Sequence, residues 1–376
     1  MKKNLSLNLH KKLSGKIEVN SKISINSREL LSQIYTPGVA EAVSAILKNR
    51  DILQKLTIRG NTVAVVTDGS AVLGFGNIGP EAALPVMEGK CILFKEFAGL
   101  NAFPICLGTQ DTNEIINCVK NISPVFAAIN LEDISAPKCF EIERGLQNIG
   151  IPVMHDDQHA TAIIVLAGLI NAARASEKDL KKSRIVINGT GAAGTAITRL
   201  LNFYGCNNMI CVDSRGIIGK HRIDLSDYKK EVSAITNKIK IQGSLADACT
   251  NADILIGVSQ KGLFSSKIIK SMNAKPIVFA LANPDPEITR TKAKKAGAFI
   301  YASGRSDEPN QINNALVFPG FFRGLIKNNI RKINDEMKVR TANAICSLIK
   351  NPTPSKIVPD IFNKDLVRVI EKSLSY

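Results

Sequence analysis

Short apolar runs recur along this chain, most of them closing on an acid or a glycine. TVAVVT (62–67) runs into Asp68-Gly69, and the stretch 103–108 ends on Gly108. VFAAINL (125–131) leads to Glu132-Asp133, and IGIPVM (149–154) to His155-Asp156-Asp157. Further on come RIVIN (184–188), MICVD (209–213), DILIG (253–257), PIVFAL (276–281) and the stretch 298–301. Runs of this length, rich in β-branched residues, predict buried strands. Between them lie helical patterns. One opens at Ser27, is interrupted at Thr36-Pro37-Gly38 and resumes at Ala40. Pro80 suits a helix start, a turn is expected at Glu88-Gly89, and Cys91–Phe94 reads as an apolar strand with Lys90 at its lip. Another helix begins at Thr112, and the stretch 159–175 is apolar on most sides, as a helix buried at a domain junction would be. Alternation of strands and helices predicts an α/β chain with parallel sheets. The expected division is 1–160 for a first α/β domain and 161–376 for a second with C-terminal helices.

Composition narrows the class. Hydrophobic residues make up 45% and charged residues 22%, a globular balance over a length that fits two domains. The eight cysteines are scattered without a CxxC pair, which predicts reduced core thiols rather than a disulfide frame or a zinc site. The net charge of +16 raises the question of nucleic acid, but the basic residues are dispersed and aromatics are only 5%, so no nucleic-acid partner is expected. No apolar run reaches membrane-spanning length and the start lacks an apolar leader core. A cytoplasmic protein without membrane contact is the expectation.

The candidate chemistry gathers at strand ends. Glu132-Asp133 and Asp156-Asp157 follow predicted strands, where a parallel sheet opens its ligand crevice. Carboxylates converging there repel unless a cation sits among them, and Mg2+ or Mn2+ prefers oxygen ligands. Helix capping by Asp133 and Asp157 is the competing reading. Arg184–Asn188 runs straight into Gly189-Thr190-Gly191-Ala192-Ala193-Gly194, a helical pattern follows, and the next strand ends on Asp213, 19 residues past Gly194. Strand, glycines, helix, strand and acid in this order form the dinucleotide fingerprint of a Rossmann-type, doubly wound domain. The earlier Gly74–Gly79 run matches the glycine spacing but starts five residues after its strand, so it reads as a loop. Asp213 favours NAD through a ribose hydroxyl, whereas Arg215 could hold the extra phosphate of NADP. Tyr35 at a helix break and Asn283 before a proline can each face a cleft, though a structural tyrosine and a turn asparagine are the plain alternatives.

Eight blocks give the chain a resemblance to malic enzymes of the short bacterial type. They are IYTPGVA (34–40), VVTDGSAVLGFGNIGP (65–80), MEGKCILFKEF (87–97), NLEDISAPKCFEIE (130–143), HDDQHAT (155–161), GTGAAG (189–194), FALANPDPEI (279–288) and GRSDEPNQINNALVFPGFFRG (304–324). The resemblance implies an N-terminal malic-enzyme domain followed by a Rossmann NAD(P)-binding domain. It implies oxidative decarboxylation of (S)-malate to pyruvate and CO2 with NAD or NADP and Mg2+ or Mn2+, and a homodimer. By the same resemblance Lys90 would take the proton from the C2 hydroxyl, with Asp156 pairing to it; Glu132, Asp133 and Asp157 would hold the metal. Tyr35 would protonate C3 of the enolate, and Asn283 with Asn313 or Asn314 would bind substrate carboxylate. The chain departs from the pattern in three places. Ser70-Ala71-Val72 stands where the large eukaryotic type carries a substrate-binding arginine. Ser303 and Glu308 replace an expected threonine and aromatic. The phosphotransacetylase-like segment of the long bacterial type does not follow, so its regulation is not expected. Rival readings are oxidation without decarboxylation, decarboxylation of oxaloacetate alone, and a non-catalytic nucleotide-binding regulator.

Overall fold

The computed structural model describes residues 5–72 and 74–375. The chain begins with three helices, α1 (Leu5–Leu13), α2 (Arg28–Ile34) and α3 (Val39–Lys48), none of which has a buried residue. The break between α2 and α3 falls at Tyr35–Gly38, as Pro37 dictates. Four parallel strands follow: β1 (Thr62–Thr67), β2 (Asn101–Cys106), β3 (Ala128–Leu131) and β4 (Val153–His155), in the order β2-β1-β3-β4. The second sheet holds β5 (Ile185–Asn188), β6 (Met209–Asp213), β7 (Gly216–Ile217), β8 (Ile254–Gly257), β9 (Ile277–Ala280) and β10 (Ile300–Ser303). Its order is β10-β9-β8-β5-β6-β7, parallel except for β7. In each sheet the chain leaves its first strand to both sides, at β1 and at β5. A crevice therefore opens beyond the carboxyl ends of β1 and β3, and another beyond β5 and β8.

Residues 79–98 correct the sequence reading. There is no turn at Glu88-Gly89 and no strand at Cys91–Phe94; one helix, α4 (Gly79–Ala98), passes through both and ends at Gly99 in a left-handed conformation. Its buried residues Met87, Lys90, Cys91, Phe94 and Ala98 repeat at helical spacing, which a four-residue apolar run cannot reveal. Phe94 packs on Phe318 and Phe322 at 4.7 and 5.3 Å between ring centres, tying α4 to the helix Phe318–Lys327. Each such ring contributes about 2 kcal/mol of apolar burial. The packing is what carries the ammonium of Lys90 inward.

The helix α5 (Lys138–Leu146) covers the first sheet, and α6 (Asp156–Ser176) starts directly at the end of β4. A boundary at 160/161 therefore falls inside the first turns of α6. That helix is long and apolar enough to cross a membrane, contrary to the reading of the sequence, and so is the stretch 28–48 taken as one helix. Most of α6 is buried inside the chain, against α7 (Ala192–Tyr204) and α8 (Asp335–Ser347). One apolar core runs without interruption from Val63 and Met87 through α6 to Ile185 and Phe279, so the two sheets share it.

Candidate active site

Lys90 reaches the carboxyl ends of β3 and β4 from the middle of α4. Its Nζ lies 2.8 Å from Glu132 Oε1 and 2.6 Å from Asp156 Oδ2, and 4.2 Å above the ring of Phe318. The residue is 7% exposed. Burial works against its charge, but Asp156 and Glu132 more than offset this and hold its pKa above the ordinary lysine range. A lysine with a depressed pKa, which a base at strand lip would need, is thus not what this state presents. Asn314 donates to Asp156 Oδ2 at 2.5 Å and Asn130 to Glu132 Oε2 at 2.9 Å, fixing both carboxylates.

Glu132, Asp133 and Asp157 each offer an oxygen such that all three lie within 4.8 Å of one another. Asp133 has positive φ (52°), and its backbone N–H donates to Asp157 Oδ2 at 3.1 Å. Burial and the adjacent Asp157 push the Asp133 carboxyl up to about 8, and its Oδ2 is buried with no hydrogen-bond partner among the described residues. Burial also raises Glu132 well above its usual range despite Lys90, with Asp156, Asp157 and Asp133 adding to the rise. Three carboxylate oxygens this close together, two of them on groups that burial raises above their usual range, fit a hard divalent cation. Neither Asp133 nor Asp157 accepts a capping bond from a helix N-terminus, since neither α5 nor α6 has a side-chain cap. The cluster reading is the one the geometry supports.

The second crevice carries the glycine turn. Gly189 has φ +107° and sits so close to the β8 loop that an added Cβ would meet Val258 O at 2.8 Å. A Cβ on Gly194 would meet Gly189 O at 1.8 Å, so only glycine lets α7 start there. Gly191 faces open space, the place where backbone can approach a phosphate, and Ala192 and Ala193 open α7 with their N–H groups towards it. These residues fit a dinucleotide pyrophosphate. The Gly74–Gly79 loop serves another purpose: Gly74 abuts Pro284, where a Cβ would come 2.7 Å from the ring, so this loop of the first domain meets the Asn283-Pro284 loop of the second.

Asp213 is at the end of β6 as expected, but it is not free. Arg222 Nη1 bonds its Oδ1 at 2.8 Å, Lys229 Nζ its Oδ2 at 2.7 Å, and the backbone N–H of Arg215 its Oδ1 at 2.9 Å. Burial opposes its charge, yet the Arg222 and Lys229 contacts pull its pKa below the ordinary value. The Arg215 side chain is 70% exposed and pairs with Asp224 at 2.8 Å. Three cations facing two carboxylates leave a surplus positive charge where the adenosine ribose would lie, so Asp213 does not by itself select NAD. The sequence gives no local signal for Arg222, nine residues beyond Asp213.

Two further predicted residues, Asn313 and Tyr35, make no hydrogen bond with Lys90 or the carboxylates within one chain. The Oδ1 of Asn313 accepts the N–H of Ala315 at 2.9 Å and caps the short turn Asn314–Leu316, while its neighbour Asn314 is the one bonded to Asp156. Tyr35 is 67% exposed and makes no side-chain hydrogen bond among the described residues, because α2 and α3 pack on almost nothing in their own chain. Asn283 lies half-buried on Gly304, within weak reach (3.4 Å) of Leu281 O, at the loop facing the first domain. Glu287, which the sequence did not single out, is fully buried and accepts the N–H groups of Ser259 and Ala282, both at 3.1 Å. One carboxylate thereby clamps the loops after β8 and β9 together, and Gly257 is required beneath it, since a Cβ would come 2.4 Å from Glu287.

A metal-fitting carboxylate cluster with a buried lysine in one domain, and a dinucleotide turn in the other, define a cofactor-dependent oxidoreductase acting on a small acid. Comparison with known proteins gives the family. Residues 14–147 match the malic enzyme N-terminal domain and residues 159–369 the malic enzyme NAD binding domain; the chain belongs to the malic enzyme family. It is 50% identical to the NAD-dependent malic enzyme of Geobacillus stearothermophilus, over 96% of this chain and 76% of that one. It is 47% identical to the bifunctional malic/malolactic enzyme of Bacillus subtilis, over 98% and 91%. The crystal structure of the NAD-dependent malic enzyme from Thermotoga maritima superposes with a TM-score of 0.95, at 44% identity and 98% coverage of both chains.

Proposed function

We propose that this protein catalyses the oxidative decarboxylation of (S)-malate to pyruvate and CO2, with reduction of NAD+ or NADP+. The observation that carries the reading is the placement of Lys90 between Glu132 and Asp156, next to the Glu132–Asp133–Asp157 oxygens. Glu132, Asp133 and Asp157 would hold a divalent cation, which would supply Lewis-acid polarisation of the substrate's C2 oxygen. A dinucleotide held at Gly189–Gly194 would supply the acceptor for the hydride that leaves C2. With Glu132 engaged as a ligand, Lys90 would keep one counter-charge, Asp156, instead of two, which would favour its neutral, proton-accepting form. Lys90 then takes the hydroxyl proton as C2 becomes a ketone, while Asp156 and Asn314 keep its Nζ aimed. Loss of CO2 breaks the C3–C4 bond and leaves the electron pair in an enolate. Asn283 and Asn314 are the amides available to a substrate carboxylate.

Protonation of C3 is assigned to Tyr35, which one chain leaves in solvent. Leu31, Ile34, Val39, Val43 and Leu47 are exposed on the same two helices, more apolar surface than a lone arm of this size needs. A homodimer that covers this face is part of the proposal, and it supplies Tyr35 from the partner's arm. We also place the protein in the cytoplasm. All eight cysteines are free, and burial pushes Cys91, Cys139, Cys211 and Cys249 up to about 12, as suits inert thiols in a reducing compartment.

The test is the product ratio. Malate with either cofactor and Mn2+ is expected to give pyruvate and reduced cofactor in equal amounts. Reduced cofactor accompanied by oxaloacetate instead of pyruvate, or pyruvate without reduced cofactor, would replace the proposal by one of its rivals.

A further inference from the structure

The seam between the two domains holds a second polar cavity beside the start of α6. Its volume is about 240 Å3, and it is walled by Phe140, Glu143 and Arg144 of α5, His159 of α6, Arg199 of α7 and Lys338 of α8. None of the glycine-turn residues, the three clustered carboxylates, Lys90 or Asn314 lines it.

Its wall carries more positive than negative side chains. Arg144, Arg199 and Lys338 face one carboxylate, Glu143, and that carboxylate is already used by the protein. It accepts the backbone N–H of His155 at 2.8 Å and contacts His159 Nε2 at 2.9 Å. Lys338 is buried and has Asp335 at 2.8 Å, while Arg199 pairs with Glu231; both of those acids lie outside the cavity wall. Arg144 has no side-chain hydrogen bond or ion pair among the described residues, and nothing in the fold requires a guanidinium there. Arg199 lies 5.8 Å over the ring of Phe140, so its approach to the cavity is set by an aromatic wall. Two forked donors and a buried ammonium around a space of this size are the recognition elements of an oxyanion.

We propose that this cavity is a binding site for a small dianion, a phosphate or a short dicarboxylate, which bridges Arg144 of the first domain to Arg199 of the second. A ligand so placed ties the domains across their seam, and through Glu143 it touches the end of β4, where Asp156 and Asp157 begin.

The experiment is calorimetric titration of the full-length protein with inorganic phosphate and, separately, with succinate. EDTA is present to keep dicarboxylate out of the cluster. The same titrations are run on Arg144→Ser and on Arg144→Ser–Arg199→Gln; neither residue belongs to the catalytic or cofactor machinery. The wild type is expected to bind at least one of the two anions, with the dissociation constant raised about tenfold or more by Arg144→Ser. Phosphate alone or succinate alone identifies the ligand class. Phosphate held at the glycine turn would bind both variants as it binds the wild type, and that outcome overturns the proposal. So does the absence of binding by either anion. Arg144 is exposed and makes no contact that folding needs, so the single variant keeps the test valid if the double variant does not fold.

Discussion

Lys90 can be replaced in two ways that separate its charge from its proton. Lys90→Met keeps the length and apolar stem but leaves Glu132 and Asp156, both buried, without the cation 2.8 and 2.6 Å away. Removing one member of a buried ion pair costs about 3–5 kcal/mol, so the metal-free variant is expected to melt several degrees below the wild type. Lys90→Arg keeps a positive charge between the two carboxylates, but a guanidinium does not release its proton near neutral pH. That variant is expected to retain most of the stability and to lose turnover by about 10²–10⁴, the range of general-base catalysis. The assays are thermal unfolding in EDTA and formation of reduced cofactor at 340 nm with Mn2+. Turnover of Lys90→Arg within a few-fold of wild type would refute the base assignment. A Lys90→Met protein that melts with the wild type would refute the charge compensation.

Tyr35→Phe and Lys90→Arg chains are each expected to be inactive alone. Mixed by co-expression, they should regain about a quarter of wild-type activity, since half the dimers are heterodimers and each of these has one intact site; no recovery would contradict donation of Tyr35 across the interface. Glu287→Gln replaces one acceptor of the loop clamp by a donor, leaving a buried N–H unpaired at a cost of about 1–3 kcal/mol. NADH fluorescence titration should show weaker cofactor binding, and an unchanged dissociation constant would remove Glu287 from cofactor positioning. Burial alone would raise the Glu143 pKa, but His159 and the N–H of His155 pull it down to about 2. A depressed carboxylate stabilises the fold above its unfolded value and stops doing so as pH falls through the folded one. Glu143→Gln should therefore melt well below wild type at pH 7, by the equivalent of about 3 kcal/mol, with the gap narrowing as pH falls from 4 towards 2. A gap independent of pH would refute the ionic role.

Much of this architecture was legible because parallel strands buried on both faces leave continuous apolar runs, and their ends carry the chemistry. β1, β5, β6, β8 and β9 lie within a residue of the runs that predicted them, and Glu132, Asp133, Asp156 and Asp157 fall together because all follow such ends. The stretch 87–94 was misread because four apolar residues have no period of their own, and only packing on Phe318 and Phe322 shows which face of a helix they make. Asp213 was located but its state was not, since Arg222 and Lys229 reach it from beyond the strand. The choice between Asn313 and Asn314 turned on a cap, a backbone detail absent from side-chain chemistry. Tyr35 has no cleft in a single chain, and no sequence pattern reports what a second copy covers.

The most direct test follows absorbance at 340 nm for wild-type protein with malate, Mn2+ and NAD+ or NADP+ in parallel, before and after EDTA. Reduced cofactor should accumulate with at least one of them, stop when EDTA removes the cation from Glu132, Asp133 and Asp157, and resume with excess Mn2+. Malate oxidation that continues unchanged in EDTA, or no signal with either cofactor, would contradict a metal-assisted malic enzyme at this site.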